Sequence, residues 1–168
     1  MLAQFLSMGL EGHGNKTYIS GNCSIRGDVK IGKECSIFDF ASIRGDLGKI
    51  IIGDFSNIQD NVTIHGDPGF DVYIGKYVSI GHNAVIHGCR IEDNCLIGMG
   101  AIIMNGSVIG KGTVVAAGTV ILENSRIPEH SMVAGVPGRV KSSSAEYEKM
   151  AKKNAEDYLE LKDSYLKE

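Results

Sequence analysis

The chain has 168 residues, of which 43% are hydrophobic and 22 are glycine, and it carries a formal net charge of −3. This length supports one domain with a buried core, and the mild charge excludes the basic surfaces that bind nucleic acid or anionic membranes. We expect neither a signal peptide nor a membrane-spanning helix, because no apolar run approaches the ~20 residues that crossing a bilayer requires. The four cysteines form no CxxC pair, which favours small buried thiols in a cytoplasmic protein.

Residues 1–17 show no periodic pattern, and we treat them as an N-terminal segment of undefined structure. From Ile19 onward an aliphatic residue recurs at every sixth position, apart from two insertions and one deletion. The series comprises Ile19, Ile25, Ile31, Ile37, Ile43, Ile52, Ile58, Ile64, Ile74, Ile80, Ile86, Ile91, Ile97, Ile103, Ile109, Val115, Ile121, Ile127 and Val133. A fixed six-residue period is typical of a β-helix in which three hexads, about 18 residues, form one coil. The sequence therefore predicts an all-β solenoid over residues 18–141, and the resemblance of this pattern to hexapeptide-repeat proteins implies a left-handed parallel β-helix.

Two insertions interrupt the repeat, one of three residues near Leu47, Gly48 and Lys49 and one of four residues within 67–71. Residues added to a regular coil cannot join a strand without shifting the side chains that face the core. We therefore expect both insertions to project as loops from corners of the prism. The second insertion follows His65 closely, so its loop is predicted to rim any site that includes this histidine.

The last stretch, residues 142–168, has a different pattern. Ser143 and Glu146 match a capping box, which marks the start of a helix. Apolar residues then recur at intervals of three and four, as in an amphipathic helix. They are Tyr147, Met150, Ala151, Tyr158, Leu161 and Tyr165. We predict a C-terminal α-helix that packs back along the β-helix; the alternative is a helix that binds a partner protein.

A column of chemically active side chains stands out on one face of the predicted coils. Arg44, His65 and His87 each follow a repeat isoleucine, and those isoleucines are three hexads apart. The three side chains should therefore stack on rungs about 4.8 Å apart, the spacing of hydrogen-bonded strands. Two imidazoles on neighbouring rungs can bind one metal ion, whose nitrogen ligands lie about 2.0–2.1 Å from it.

His82 belongs to the preceding face of the coil. It is separated from His87 by roughly 16 Å of extended chain at ~3.3 Å per residue, which is too far for both to bind one ion in one chain. The economical solution is that His82 reaches the metal of a neighbouring chain. Three neutral imidazoles leave an open position, as in catalytic zinc sites, and Fe²⁺ or Co²⁺ would fit the same ligands. Such a metal lowers the pKa of its bound water, and the resulting hydroxide can attack the carbon of CO2.

Several short motifs accompany the repeat. They are Ser42-Ile43-Arg44-Gly45-Asp46, Asn57-Ile58-Gln59-Asp60, Ile64-His65, Gly81-His82 and His87-Gly88-Cys89. With the repeat, they make nearly the whole chain similar to the gamma-class carbonic anhydrases. The resemblance implies a homotrimer with one Zn²⁺ at each subunit interface, bound by His65 and His87 of one chain and His82 of the next. It also implies reversible hydration of CO2 to bicarbonate by metal-bound hydroxide.

The resemblance also assigns roles to polar residues around the metal. Arg44 and Asp46 match residues that shape the interface and orient bicarbonate. Gln59 and Asn57 match polar residues near the metal-bound water, and Asp60 matches a residue of the adjoining interface. The repeat carries Asp60 to the level of Arg44 when two chains share a site, so we expect these two to pair between chains.

Two alternatives remain open, and they belong to different classes of protein. Residues 134–138 resemble the end of the β-helix in hexapeptide acyltransferases, which take an acyl-CoA donor and use an interface histidine as a base without a metal. A catalytically silent homologue would keep the metal as a scaffold for assembly. The chain departs from the well-characterised anhydrases in its short loop 66–71 and in Leu47, where those proteins have an acidic loop and a glutamate. Because of these departures, the resemblance predicts metal binding more strongly than it predicts CO2 hydration.

Overall fold

The computed structural model describes residues 16–167, so most of the predicted N-terminal segment lies outside the described residues. Within this range the chain forms strands β1–β18 and helix α1, Glu146–Tyr165. The strands are β1 (Tyr18–Ile19), β2 (Ser24–Ile31), β3 (Ser36–Ile37), β4 (Ser42–Ile52), β5 (Asn57–Ile58), β6 (Thr63–His65), β7 (Val72–Ile74), β8 (Ser79–Ile80), β9 (Val85–His87), β10 (Arg90–Ile91), β11 (Leu96–Ile97), β12 (Ile102–Ile103), β13 (Val108–Ile109), β14 (Val114–Val115), β15 (Val120–Ile121), β16 (Arg126–Ile127), β17 (Ser131–Ala134) and β18 (Arg139–Ser143). No helix in residues 16–167 is both long and apolar enough to cross a membrane.

Two sheets build the three walls of a prism. The first wall has the strand order β1-β3-β5-β8-β11-β14-β17-β18, with β18 antiparallel to β17. The other sheet, in the order β15-β12-β9-β6-β4-β7-β10-β13-β16 with β2 also paired to β4, covers the second and third walls, because β2 and β4 continue around the corner between them. The chain is thus a parallel β-solenoid of about six turns with one C-terminal helix, which confirms the predicted left-handed β-helix.

The repeat aliphatics fill the interior of the prism. Every repeat position from Ile37 to Ile109 is exposed by no more than 2%. Ile19, Ile25 and Ile127, near the two ends of the solenoid, are partly buried against the same core. Burying these β-branched side chains on stacked rungs is the main stabilising term of a solenoid, because each coil covers the apolar face of the next.

Small residues occupy the places where coils approach most closely. A Cβ atom on Gly81 would lie 2.7 Å from the backbone nitrogen of Met99 in the next coil, so a side chain cannot fit there. Cys35 and Cys95 are fully buried, and burial raises the pKa of these thiols to about 11 and about 12. Cys23 is partly buried. Cys89 is also buried, so the prediction that the cysteines act as small buried residues is confirmed for three of the four.

The first insertion does not project as a loop, contrary to our expectation. β4 continues around the corner and stays paired with β2. The ladder shifts register between Gly27 and Val29 of β2, so the extra residues of β4 form a bulge. The backbone N–H of Lys49 donates to Asp71 Oδ1 at 2.8 Å, while Leu47 is exposed. A bulge keeps most backbone groups hydrogen-bonded, which a projecting loop would not.

Helix α1 packs along the first wall, where it contacts β3, β8, β11 and β14. This placement confirms that the C-terminal helix folds back on the solenoid. The buried residues of the helix are Ala151, Ala155 and Lys162, whereas Met150 and Leu161 are 46% and 41% exposed. The predicted apolar stripe is therefore wrong at these two positions, because the small alanines bring the helix close to the wall and turn longer side chains outward.

Lys162 is buried because its ammonium group has several partners. Its Nζ donates to Glu34 Oε2 at 2.9 Å, to Asp163 Oδ1 at 2.7 Å and to the carbonyl oxygen of Lys16 at 2.9 Å. A buried charge is tolerated only when it is paired and hydrogen-bonded in this way. Lys162 thereby joins the end of α1 to the first coil.

The start of α1 differs from the predicted capping box. Ser143 lies in β18, opposite Ser131 of β17, and is held by the sheet. The backbone N–H of Glu146 instead donates to Ser144 Oγ at 3.2 Å. The carboxylate of Glu146 accepts from Lys149 Nζ at 2.7 Å. The antiparallel strand β18 extends to Ser143, and the helix begins at Glu146 with Ala145 as its N-cap, two residues beyond the predicted cap.

A polar cluster fastens the first turns of α1 to the solenoid. Glu148 accepts hydrogen bonds from Lys111 Nζ at 3.0 Å and from Asn94 Nδ2 at 2.7 Å, and its other oxygen lies 2.8 Å from His130 Nε2. These hydrogen bonds lower the pKa of Glu148 to about 2, and the largest effect is that of Lys111, followed by His130 and Asn94. The helix is therefore pinned by charge near its start and by Lys162 near its end.

Candidate metal centre

The predicted column of Arg44, His65 and His87 is present. β4 and β6 pair Arg44 with His65, and β6 and β9 pair His65 with His87. The two imidazoles meet with His65 Nδ1 at 3.0 Å from His87 Nε2. His65 is only 8% exposed. The parallel register of three consecutive rungs therefore brings two potential metal ligands together.

These two rings fit a divalent transition metal. Two nitrogens that each lie 2.0–2.1 Å from a tetrahedral ion are about 3.4 Å apart, close to the 3.0 Å between the rings. His65, Asp67 and His87 also form a group whose ligand atoms all lie within 4.8 Å of one another. Imidazole nitrogens with a carboxylate nearby are a donor set that suits Zn²⁺, Fe²⁺ or Co²⁺.

A pair of charges lies beside the rings, on the rung below. Asp46 Oδ1 lies 3.1 Å from His65 Nε2. Arg44 Nη1 donates to both carboxylate oxygens of Asp46, at 2.7 Å and 3.0 Å. The pKa of the Asp46 carboxyl lies below its usual range, chiefly because Arg44 donates to it and to a smaller extent because of the contact with His65. Arg44 and Asp46 are half-exposed, so the guanidinium keeps donors free for another group.

Asn105 lies above the rings and was not among the predicted site residues. Its Oδ1 is 2.6 Å from His87 Nδ1, and its Nδ2 donates to Asp67 Oδ2 at 3.0 Å. Asp67 belongs to the second insertion, which forms the predicted loop at the rim of the site, closed by a hydrogen bond from Phe70 N to Asp67 O at 2.9 Å. The only sequence signal for Asn105 is its place one coil after Gly88, the residue that follows His87.

We refer to this group as the His65–His87 half-site. It comprises Arg44, Asp46, His65, Asp67, His87 and Asn105. All of these residues lie on four successive coils or in the loop that leaves them.

His82 lies apart from this group, at the corner that follows β8. Its Nδ1 is 2.9 Å from Asp60 Oδ2, and its Nε2 is 3.4 Å from the hydroxyl of Tyr158 in α1. Its backbone N–H donates to Gln59 Oε1 at 3.1 Å. The side chain is 38% exposed, so this ring remains accessible from outside the chain.

Buried amides support His82 from below. Gln59 Nε2 donates to Asn57 Oδ1 at 3.0 Å, and Asn57 Nδ2 donates to Ser79 Oγ at 2.8 Å. Gln59 and Asn57 are 4% and 1% exposed, so their hydrogen bonds fix both amides. We refer to the second group as the His82 half-site. It comprises Asn57, Gln59, Asp60, His82 and Tyr158.

One chain thus brings together two of the three predicted metal ligands. The metal-binding group found within residues 16–167 contains His65 and His87 but not His82. Arg44 pairs with Asp46 and Asp60 pairs with His82, so the predicted contact between Arg44 and Asp60 of another chain stays a prediction. The hydrogen bond to Asp60 orients the His82 ring, as partners of metal-binding histidines do.

Two models of repeat families match the coils around this centre. The one described as "Hexapeptide repeat of succinyl-transferase" matches residues 71–104. The one described as "Bacterial transferase hexapeptide (six repeats)" matches residues 88–123. Both agree with the observed solenoid.

Comparisons with individual proteins identify the family to which the chain is similar. The chain is 59% identical over 147 residues to a protein of Methanocaldococcus jannaschii named "Probable carbonic anhydrase", and the match covers 87% of this chain and 92% of that protein. It is 41% identical over 90 residues to gamma carbonic anhydrase 2 of Arabidopsis thaliana mitochondria, which covers 50% of this chain and 32% of the plant protein. The chain therefore spans about a third of that longer relative.

A solved structure extends the comparison to transferases. A hexapeptide transferase family protein from Anaplasma phagocytophilum has a TM-score of 0.87 and 35% identity to this chain. The similarity covers 94% of this chain and 95% of that protein. The fold is therefore common to proteins named for different reactions. The choice between those reactions has to be made from the residues of the site.

Proposed function

Because the chain belongs to the gamma-class carbonic anhydrase family of hexapeptide-repeat proteins, we propose that it interconverts CO2 and bicarbonate at a metal site shared by two chains. The observation that carries this proposal is the pair of ring nitrogens of His65 and His87, 3.0 Å apart, with the third histidine on a different face. A divalent metal bound at such a site would supply hydroxide near neutral pH for addition to the carbon of CO2.

The residues that would hold the metal are His65 and His87 of one chain and His82 of its neighbour. We propose Zn²⁺ as the resident ion, with Fe²⁺ and Co²⁺ as ions that the same imidazoles accept. A contact that joins different surfaces of identical chains is heterologous, and such contacts close into rings. We therefore propose a homotrimer with three equivalent sites.

The polar residues of the two half-sites would handle the anion. Arg44 is held by Asp46 and is half-exposed, so its remaining N–H groups can donate to a bicarbonate oxygen. Gln59 reaches the shared site together with His82, because its Oε1 accepts from the His82 backbone. Because its Nε2 also donates to Asn57 Oδ1, Gln59 would act on the site by holding the backbone of His82 in place.

A hexapeptide acyltransferase is the second candidate. The similarity to the transferase from Anaplasma phagocytophilum favours it. An acyltransferase needs one histidine as a base and has no use for two imidazoles whose nitrogens converge. A catalytically silent metal-binding homologue is the third candidate, and it differs from the first only in activity.

The test uses full-length protein stripped of metal and reloaded anaerobically with Zn²⁺, Co²⁺ or Fe²⁺. We expect about one ion per chain and CO2 hydration above the buffer rate by stopped-flow indicator assay. His65→Ala protein serves as the matched control and should lose both. Metal binding without hydration in all three forms would favour the silent homologue, and acyl-CoA binding without metal would favour the acyltransferase.

A further inference from the structure

We propose that Asn105 is a positioning residue that fixes the tautomer of His87 and, through the same amide, fastens the loop 66–71. This inference rests on the proposed metal site. Asn105 contacts His87 at 2.6 Å and Asp67 at 3.0 Å, although Asp67 is 38 residues away in sequence. A single amide therefore connects a potential metal ligand to the loop at the rim of the site.

The chemistry of the three groups determines which way each hydrogen bond runs. An ionised carboxylate only accepts hydrogen bonds, so the Asn105 atom that faces Asp67 must be the donor Nδ2. The other amide atom, Oδ1, only accepts, so His87 Nδ1 must carry the hydrogen of that contact. A neutral imidazole with its hydrogen on Nδ1 has its lone pair on Nε2.

That lone pair points to the place where a metal would bind. His87 Nε2 is the ring nitrogen that lies 3.0 Å from His65. Metal-binding histidines commonly donate their other N–H to a fixed acceptor, which orients the ring and raises its basicity as a ligand. Asn105 supplies this acceptor from the next coil.

The backbone reserves the space that Asn105 uses. A Cβ atom on Gly88 would lie 2.2 Å from Asn105 Oδ1 and 2.7 Å from Phe70 Cβ. Gly88 also has a φ of +49°, which side chains rarely adopt. The N–H of Gly106 donates to the carbonyl of Gly88 at 2.8 Å and places Asn105 directly over it. Gly88 is therefore required for the contact between Asn105 and His87.

The same amide limits the movement of the loop. Asp71 accepts from Lys49 N at 2.8 Å at one end of the loop, and Asp67 accepts from Asn105 at the other. Phe70 lies between these anchors. Removing the Asn105 donor should therefore release the loop at the end nearest the rings.

Two substitutions separate the two roles. Asn105→Leu has a similar size but can neither accept from His87 nor donate to Asp67. Asn105→Asp keeps an acceptor for His87, loses the donor, and brings two carboxylates together. Asn22→Ala is the matched control, because Asn22 is exposed and its side chain forms no hydrogen bond within residues 16–167. Circular dichroism and light scattering would show that each variant is folded.

The first readout is the ¹⁵N spectrum of the histidine rings in metal-free protein. We expect His87 to carry its hydrogen on Nδ1 in the parent protein and in Asn105→Asp, and to show a tautomer mixture in Asn105→Leu. The second readout is zinc affinity by chelator competition. We expect Asn105→Leu to bind about 10- to 100-fold more weakly, whereas Asn105→Asp stays close to the parent.

The third readout is hydrogen exchange at the Phe70 amide, which donates to Asp67 O. It should accelerate in both Asn105 variants and remain unchanged in Asn22→Ala. An Asn105→Leu protein with the parent tautomer and the parent zinc affinity would overturn the inference. A parent protein that binds no metal would contradict the proposed function, whereas the ring spectra would still decide what Asn105 does to His87.

Discussion

The two half-sites differ in what holds their imidazoles. In the His65–His87 half-site, the rungs of the solenoid set the distance between the rings, and Asn105 and Asp46 contact them from the coils above and below. In the His82 half-site, one ring lies at a corner, held by Asp60 and adjacent to α1. The first half-site presents two nitrogens at a spacing fixed by backbone hydrogen bonds, and the second presents one.

This difference indicates how the site would assemble. His65 is 8% exposed, so its half-site is largely formed in a single chain. The side chain of His82 is 38% exposed, and residues 16–167 of its own chain place no second histidine beside it. A metal ion bound by two imidazoles would be held weakly, and a third ligand from another chain would complete it. Metal binding and assembly should therefore be coupled, which the following predictions test in order of decreasing effect.

Loss of one ligand from either half-site should have the largest effect. His65→Ala and His82→Ala should each abolish stoichiometric metal binding, although the side chains lie on different walls of one chain. Elemental analysis of purified protein, with circular dichroism to confirm folding, measures this. If His82→Ala retains full metal, the claim that both half-sites are needed is contradicted, because the His65–His87 half-site would then be sufficient by itself.

Arg44→Ala should weaken assembly. If Arg44 meets Asp60 of the next chain at a desolvated interface, its removal leaves an unpaired charge that costs about 2–5 kcal/mol. Sedimentation at decreasing concentration should show dissociation, with metal lost in parallel. Lys30→Ala, at an exposed strand position on the third wall, is a suitable control. A trimer of unchanged stability would limit Arg44 to binding bicarbonate.

Removing the charge of Glu148, which fastens the start of α1 to the solenoid, should lower the stability of the fold. The pKa of Glu148 is lowered from 4.5 to about 2, so its contribution is complete above pH 4.5 and is lost as the pH falls towards 2. After allowance for solvent screening, Glu148→Gln should cost roughly 1–2 kcal/mol of stability at neutral pH. Thermal unfolding between pH 6 and pH 3 should show the two proteins converging as the pH falls. Parallel curves at all pH values would contradict the assignment.

The hydroxyl of Tyr158 should matter least. It lies 3.4 Å from His82 Nε2, which is a weak contact, and burial followed by the charge of Asp60 raises the pKa of Tyr158. Tyr158→Phe should change stability by less than about 1 kcal/mol, with little change in zinc affinity. A large loss of affinity, measured by chelator competition, would mean that the His82 ring depends on α1 for its orientation.

The sequence predicted the features that follow directly from the repeat. A six-residue period determines which side chains stack, so the column of Arg44, His65 and His87 and the separate face of His82 follow from the spacing of residues alone. The buried isoleucines follow from the same rule. These predictions succeed because each depends only on backbone register.

The features that were missed depend on side-chain contacts between coils. Asn105 contacts His87 and Asp67 across a coil and a loop, and no local pattern distinguishes it from other turn asparagines. The bulge at Lys49 replaced a predicted loop because Asp71 offered its backbone a partner. Lys162 faces the wall because Glu34 lies opposite. Such pairings arise from three-dimensional neighbours that the period does not encode.

The most direct test of the shared site is complementation between two inactive proteins. His65→Ala has an intact His82 half-site, and His82→Ala has an intact His65–His87 half-site, so a ring that contains both proteins has one complete site. Equal amounts, dissociated and reassembled at random, should recover about one quarter of the parent metal content and CO2 hydration rate, since about three quarters of the trimers are mixed. Recovery at this level supports a site divided between chains. No recovery in verified mixed trimers would contradict it.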